Sequence, residues 1–221
     1  MNVLILGASR GIGLEFARQY LEAGDRVIAT ARDAEGLVRL QEMGAQPIKL
    51  DVANPSSVSG LSWLLDGEKI DVALYVAGVF STDGATTPPT QQDFDRVLHT
   101  NVLGAMQAIP QVTPWVEEAG GVFAFITSGM AQIAGVESSR GWTYRVSKAA
   151  LNMAVAAAQN DYPRATLLAI SPGWVQTDMG GASASLTVEA SVSAMRQALA
   201  AAKGKHKGQF LNYDGTPFSS W

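Results

Sequence analysis

Short apolar runs alternate with longer segments of helical periodicity along the whole chain, and this alternation constrains the fold most strongly. Seven runs have the composition of buried strands: residues 3–6, 27–30, 48–50, 72–76, 122–126, 167–170 and 209–211. Strands separated by helical segments imply right-handed crossovers between parallel neighbours. We therefore predict an α/β fold, with one doubly wound parallel sheet of about seven strands and helices on both faces.

Length and composition favour a single compact domain. The 221 residues are 47% hydrophobic and 16% charged, which suits one globule with one core. No repeat and no linker rich in Pro, Gly or Ser divides the chain, so residues 1–221 are predicted to form one domain. The net charge of −4 gives no overall basic field that would attract nucleic acid or an anionic membrane.

Several classes of site and location are excluded by what the sequence lacks. There is no cysteine, and His99 and His206 lie far apart, so we expect no disulfide, no thiolate chemistry and no metal site. The first residues lack the basic segment of a targeting peptide. The longest apolar helical stretch, residues 149–158, is too short to span a membrane. We expect a cytoplasmic protein.

Two capping signals mark helix starts. Asn54 and Pro55 predict one helix, whose buried face carries Val58, Leu61 and Leu65. A second helix is predicted to begin at Thr90, with Asp93 completing a capping box. Its apolar stripe is Phe94, Leu98, Ala105 and Ile109. Asn101 falls on that stripe, where an unpaired amide would be costly, so it is either a functional residue or a core asparagine bonded to the backbone.

A glycine-rich turn directly follows the first strand. It runs Gly7-Ala8-Ser9-Arg10-Gly11-Ile12-Gly13, and its glycines allow a tight turn, close helix packing and approach of backbone N–H groups to a pyrophosphate. The spacing G-x-x-x-G-x-G differs from the commoner G-x-G-x-x-G. An ordinary glycine-rich turn between strand and helix remains the alternative.

The end of the second strand bears on which dinucleotide would bind. Ala31 leaves the position that would grip a ribose 2′-hydroxyl without a carboxylate, and Arg32 follows it. Arg10 is a second guanidinium suited to a 2′-phosphate. Asp33 would favour NAD, but its place before a helical segment indicates a cap. We therefore expect NADP(H) rather than NAD(H).

Tyr144 and Lys148 lie four residues apart on a predicted helix and so share one face. A nearby ammonium favours the phenolate of a tyrosine, whose ordinary pKa of about 10 makes it a poor proton shuttle at neutral pH. Ser128 ends the fifth strand, at the edge where ligands bind in such sheets. Taken singly, a surface Tyr–Lys pair and a turn-forming serine are the simpler interpretations.

Together these residues resemble a known family. The glycine turn, Asn101, Ser128 and Tyr144-x-x-x-Lys148 occur in the order found in the short-chain dehydrogenase/reductase family, over essentially the whole chain. Residues 172–179 and 208–215 resemble its sniffer/C-factor-like carbonyl reductase branch. One departure is Tyr75-Val76-Ala77-Gly78, where the family has Asn-Asn-Ala-Gly.

The resemblance implies a Rossmann-type, dinucleotide-binding catalytic domain that interconverts a carbonyl and an alcohol by hydride transfer. Tyr144 would be the general acid/base, Ser128 would orient the substrate oxygen, Lys148 would bind the nicotinamide ribose and favour the phenolate, and Asn101 would hold a relay water. Further cofactor contacts would come from Asp51, Val52, Ala77, Gly78, Pro172, Gly173, Val175 and Thr177.

The substrate is less constrained. Met130, Trp142, Trp174 and Met179 flank the expected site and either wall an apolar pocket or belong to the core. We expect a small, hydrophobic carbonyl or alcohol substrate and a homodimer or homotetramer. The alternatives are a dinucleotide-sensing or signalling protein without catalysis, and a 3-oxoacyl thioester reductase.

Overall fold

A computed structural model describes residues 1–221, and its centre is one sheet of seven parallel strands. The strands are β1 Asn2–Leu6, β2 Arg26–Ala31, β3 Gln46–Lys49, β4 Val72–Tyr75, β5 Val122–Ile126, β6 Thr166–Ser171 and β7 Phe210–Asn212. Their order is β3-β2-β1-β4-β5-β6-β7. This confirms the predicted doubly wound sheet, because the strand order reverses direction between β1 and β4.

Eight α-helices connect the strands. They are α1 Gly11–Glu22, α2 Ala34–Glu42, α3 Pro55–Val58, α4 Leu61–Leu64, α5 Gln91–Leu98, α6 Gly104–Ala119, α7 Trp142–Ala158 and α8 Val188–Ala202. A π-helical turn, His99–Leu103, joins α5 to α6, and a 3₁₀ turn, Gly129–Ala131, follows β5. No helix combines the length and hydropathy that a membrane crossing requires.

Both faces of the sheet are buried, as the apolar strands predict. Successive side chains of a strand point to opposite faces. Val3 and Ile5 of β1 therefore pack in one cluster with α1 and α8, whereas Leu4 and Leu6 pack in another with α6 and α7. Because the strands are parallel, the loops that follow their carboxyl ends all lie at one edge of the sheet.

The predicted helix that begins at Asn54 is wrong in one respect, because it is two helices. Asn54 caps α3 through the Ser56 N–H, as expected. Gly60 then separates α3 from α4, since glycine is the least favourable residue after proline inside a helix. Leu61 is nevertheless buried.

The apolar stripe predicted from Phe94 to Ile109 is confirmed at Ala105 and Ile109, which are buried, and is wrong at Phe94. Thr90 caps α5 by accepting the Asp93 N–H at 3.1 Å, as the capping box predicts. The π-helical turn after α5 adds a residue to the helical path. Within α5 itself, Val97 is buried, whereas Phe94 is 42% exposed.

Candidate active site

The glycine turn forms a close-packed cradle between β1 and the start of α1. Gly7 has φ +93°, and a Cβ there would lie 2.7 Å from the Ala77 nitrogen. A Cβ on Gly13 would lie 2.1 Å from the Gly7 oxygen. Both positions therefore require glycine, and the turn lies against Ala77, which follows β4. This close packing keeps the turn tight at the start of α1, where backbone N–H groups can face a pyrophosphate.

Arg10 and Arg39 adjoin or contact Ser9, the third residue of this turn, and Arg32 follows β2. Arg10 pairs with Asp178 at 3.0 Å, and both side chains are exposed. Arg39, which the sequence reasoning missed, donates to the Ser9 carbonyl at 2.6 Å. Arg32 is exposed and makes no hydrogen bond or ion pair. Only Arg32 is therefore uncommitted.

Asp33 has the role that its position before α2 predicts. Its Oδ1 accepts the Gly36 N–H at 2.7 Å and so caps the helix. A Cβ on Gly36 would lie 2.9 Å from the Cβ atoms of both Ser9 and Ala31, so the end of β2 packs closely against the glycine turn. The Asp33 carboxylate, at that junction, is therefore already hydrogen-bonded to the backbone.

The loop after β6 returns to the glycine turn. Thr177 lies opposite the turn, since its Cγ2 would be 3.6 Å from a Cβ on Gly11. Val175 is buried and forms a parallel bridge with Leu186. The Pro172 carbonyl accepts a hydrogen bond from Ser191 at 2.6 Å, which ties the start of this loop to α8.

Asp51 and Val52, which follow β3, lie in a self-bonded turn. The Asp51 carboxylate accepts the Ala53 N–H at 3.0 Å, and its backbone N–H donates to Ser57. Val52 is buried beside α6, because its carbonyl oxygen would be 2.4 Å from a Cβ on Gly104.

Ser128 and Tyr144 meet beyond the carboxyl end of β5. The Ser128 hydroxyl accepts the Met130 N–H at 3.1 Å and lies near enough to the Tyr144 phenol to lower its pKa. Burial raises the pKa of Tyr144 to about 12, although the nearby Ser128 hydroxyl opposes this rise. The phenol therefore carries its proton at neutral pH in the structure as it stands.

Lys148 is buried one helical turn after Tyr144. Its Nζ lies 5.7 Å from the centre of the Tyr144 ring and donates to the Ile126 carbonyl at 2.8 Å. Burial lowers the pKa of Lys148 to about 8. A Cβ on Gly78 would be 3.4 Å from this Nζ, so the ammonium faces the chain that follows β4.

Asn101 lies in the π-helical turn and is fully buried. Its Nδ2 donates to the Val79 carbonyl and to the Ser147 hydroxyl, both at 2.9 Å, and its Oδ1 accepts the Val79 N–H at 2.9 Å. Both side-chain N–H groups are thus used within the protein. These contacts match the interpretation of Asn101 as a core asparagine bonded to the backbone.

The four apolar residues expected to wall a pocket are not brought into one cluster. Met130 lies beside Gly141, with its Cε 3.1 Å from a Cβ placed there. Trp142, Trp174 and Met179 are each more than one-third exposed. Phe80, which the sequence reasoning did not single out, packs edge-on against the Tyr144 ring at 4.8 Å between centres. No periodicity marks Phe80, because it lies in an irregular loop.

The strand order and the glycine turn beside its switch point define a Rossmann-type α/β protein. The family model described as short chain dehydrogenase matches residues 1–188. The chain therefore belongs to the short-chain dehydrogenase/reductase family of oxidoreductases.

Individual relatives agree with this assignment. The chain is 33% identical over 150 residues to the C-signal of Myxococcus xanthus, covering 66% of this chain and 90% of that one. Carbonyl reductase Sniffer of D. melanogaster superposes with a TM-score of 0.90 at 26% identity, over 100% and 99% of the two chains. A carbonyl reductase from Pseudomonas aeruginosa PAO1 in complex with NADP gives a TM-score of 0.86 at 32% identity, with the same coverage.

Proposed function

We propose that this protein is an NADP(H)-dependent oxidoreductase that interconverts a carbonyl and an alcohol by hydride transfer. We further propose that residues 1–221 form a single dinucleotide-binding catalytic domain. The observation that carries the proposal is the meeting of Ser128, Tyr144 and Lys148 at the sheet edge that also holds the glycine cradle. The bound nicotinamide supplies the hydride in reduction or accepts it in oxidation.

Tyr144 is the proposed general acid in the direction of reduction. Its raised pKa means that the phenol holds a proton at neutral pH, ready to pass to a carbonyl oxygen that gains negative charge. The Ser128 hydroxyl, which lies near the phenol, donates a hydrogen bond to the same oxygen and orients it. The positive charge of Lys148 favours the phenolate that forms when the proton leaves.

The proposed role of Asn101 is structural, because its side-chain N–H groups are not free to bind a water. Both of its N–H groups are bonded to Val79 and Ser147. A relay water near Asn101 would therefore need a partner other than these two N–H groups. This refines the role that the family resemblance implies.

NADP(H) is favoured for two reasons. The Asp33 carboxylate caps α2, and Ala31 offers no other acid at the end of β2, while Arg32 is exposed and unpaired. In addition, a relative that is 32% identical was solved in complex with NADP. Gly7, Gly11, Gly13 and the residues that follow β4 and β6 are the proposed remaining contacts.

The proposed substrate is a small hydrophobic carbonyl or alcohol. Phe80 packs against the Tyr144 ring, and Met130 lies beside Gly141 at the start of the same helix, so both give the site apolar walls. The proposed assembly is a homodimer or homotetramer. Exposed apolar side chains on α6 and α7, including Met106, Val146 and Met153, offer a surface for it.

Replacing Tyr144 by phenylalanine tests the proposal. Turnover of NADPH with a panel of ketones, aldehydes, quinones and acetoacetyl thioesters should fall by roughly 10²–10⁴-fold, because general acid catalysis is lost. The dissociation constant of NADPH, measured by fluorescence titration, should stay within about twofold, because the phenol ring is retained. The matched control is Tyr162→Phe, beyond the far end of α7.

Each outcome separates the candidate functions. A Tyr144→Phe variant with unchanged turnover would show that the mechanism is wrong. Wild-type protein that binds NADPH but turns over no member of the panel would instead support a sensing protein. Turnover confined to the thioesters would identify a 3-oxoacyl thioester reductase.

A further inference from the structure

The first turn of α7, which carries Tyr144, is capped entirely from a distant loop. A helix leaves its first four N–H groups without intrahelical partners. Gly141, at the N-cap of α7, has no side chain that could cap it. The N–H groups of Gly141 and Trp142 donate instead to the Asp83 carbonyl, at 2.7 and 3.3 Å.

Side chains of the same loop accept the remaining two N–H groups. The Thr143 N–H donates to Asp83 Oδ2 at 3.1 Å, and the Tyr144 N–H donates to the Ser81 hydroxyl at 3.2 Å. All four N–H groups are thus satisfied by Ser81 and Asp83, about sixty residues earlier in the chain.

The two acceptors hold each other in place. The Ser81 hydroxyl donates to Asp83 Oδ1 at 2.6 Å, which orients its lone pairs toward the Tyr144 N–H. The Thr143 hydroxyl donates to Asp83 Oδ2. Burial alone would raise the pKa of Asp83, but the hydrogen bonds from Ser81 and Thr143 outweigh it and keep the pKa below its usual value. The carboxylate is therefore charged and lies at the positive end of α7.

The loop that supplies these groups also contacts the ring of Tyr144. Phe80, directly before Ser81, packs edge-on against it. Val79, one residue earlier, is held by both its N–H and its carbonyl to Asn101. The segment 79–83 thus links the π-helical turn to both the backbone and the ring of Tyr144.

We propose that Ser81 and Asp83 are positioning residues that set the place of the Tyr144 phenol for proton transfer. This proposal rests on the proposed function. Ser81 and Asp83 fix the backbone of Tyr144, and Phe80 of the same segment packs against its ring, so the segment constrains the side chain as well as the start of the helix. A displacement of about 1 Å at a reacting group can cost on the order of 10²-fold in rate, so a few hydrogen bonds can matter for catalysis.

Three variants test the proposal, with kcat expressed per NADPH-binding site. Asp83→Ala should lower kcat by about 10–100-fold, and Ser81→Ala by about 10-fold, while the dissociation constant of NADPH stays within about twofold. Asp83→Asn keeps an oxygen acceptor for Thr143 and should recover most of the rate. The double variant of Ser81 and Asp83 should be no slower than Asp83→Ala alone, because Ser81 is oriented by Asp83.

Thr90→Ala is the control, because it removes the side-chain cap of α5 and leaves Tyr144 untouched. It should lower the melting temperature but leave kcat per binding site unchanged. If Asp83→Ala and Ser81→Ala also lose stability while keeping kcat within about twofold, the positioning role is wrong. If Asp83→Ala fails to fold, Ser81→Ala and Asp83→Asn decide by the same criterion.

The proposed function and the positioning role can fail separately. Full activity in Tyr144→Phe would overturn the function itself. An inactive Tyr144→Phe beside Ser81→Ala and Asp83→Ala variants with wild-type kcat would overturn only the positioning role.

Discussion

The burial of Lys148 lowers the stability of the folded protein. Its side chain is 3% exposed, and the single hydrogen bond of its Nζ goes to the Ile126 carbonyl. Burial lowers its pKa from the ordinary 10.5 to about 8, so burying the protonated form opposes folding at neutral pH. A group that lowers stability yet faces the proposed proton donor is what a site selected for activity would retain.

Lys148→Met should therefore stabilise the protein without cofactor at pH 7. The lowered pKa corresponds to about 3 kcal/mol, of which the lost bond to Ile126 offsets about 1 kcal/mol. Between pH 8 and 10.5 the folded wild type binds fewer protons at this site than the unfolded chain, so its stability rises with pH relative to the variant. Urea unfolding should show a gain of about 2 kcal/mol at pH 7 that nearly vanishes at pH 9.5.

The dependence of stability on pH has the opposite sign for the buried tyrosines. Burial raises the pKa of Tyr20 and of Tyr144 to about 12, so their contribution to stability is present below pH 10 and is lost above it. Wild type and Lys148→Met both lose this contribution above pH 10, so their stabilities are compared only up to pH 9.5. A gain that does not change with pH would contradict the assigned cause.

At the scale of elements, the π-helical turn between α5 and α6 gives a role to Tyr75, one of the two residues that depart from the family pattern. The Tyr75 hydroxyl donates to the Thr100 carbonyl within that turn at 2.7 Å. Asn101, the next residue, bonds to Val79. A tyrosine thus supports the turn from β4, where the family has an asparagine.

Tyr75→Phe should lower the free energy of unfolding by about 1–3 kcal/mol. The ring still fills its fully buried site, but the Thr100 carbonyl loses its partner in a place that water does not reach. Urea denaturation measures this loss. Tyr213→Phe is the matched control, because the Tyr213 hydroxyl makes no hydrogen bond, and it should change stability by less than about 0.5 kcal/mol. Equal losses in the two variants would show that the bond to Thr100 is unimportant.

For the whole molecule, the candidate site exists only because loops from several strands reach one edge of the sheet. The glycine turn follows β1, Gly78 follows β4, Ser128 follows β5 and Thr177 follows β6. A dinucleotide that contacts all of these loops binds the folded state and not the unfolded chain. Binding should therefore raise the stability of the whole protein.

NADP⁺ at about 100 times its dissociation constant should add about 2.7 kcal/mol and raise the melting temperature by roughly 5–10 °C. NAD⁺ at the same concentration should raise it less, because Arg32 has no 2′-phosphate to contact. Thermal unfolding of wild type and Arg32→Ala measures both effects, and the variant should lose most of the difference. Arg164→Ala, which removes an exposed guanidinium paired with Glu117, is the control. A larger shift with NAD⁺ in wild type would reverse the cofactor assignment.

Local patterns in the sequence predicted most of the architecture. The strands lie within about two residues of the predicted bounds, because buried strands and helix faces are encoded by side chains two to four positions apart. Tyr144 and Lys148 share a helix face for the same reason. The break at Gly60 was missed although glycine is a local signal for it. The π-helical turn had no local signal, since it depends on how a helix packs against its neighbours.

What the sequence alone determined is the order of the elements, the glycine turn and the chemical types of the candidate catalytic groups. Only the tertiary structure decided their partners: Asn101 with Val79, Arg10 with Asp178, and Ser81 and Asp83 with the start of α7. These hydrogen bonds join segments from about twenty to well over a hundred residues apart. No spacing rule within a helix or strand reaches that far, because such contacts depend on the path of the whole chain around the sheet.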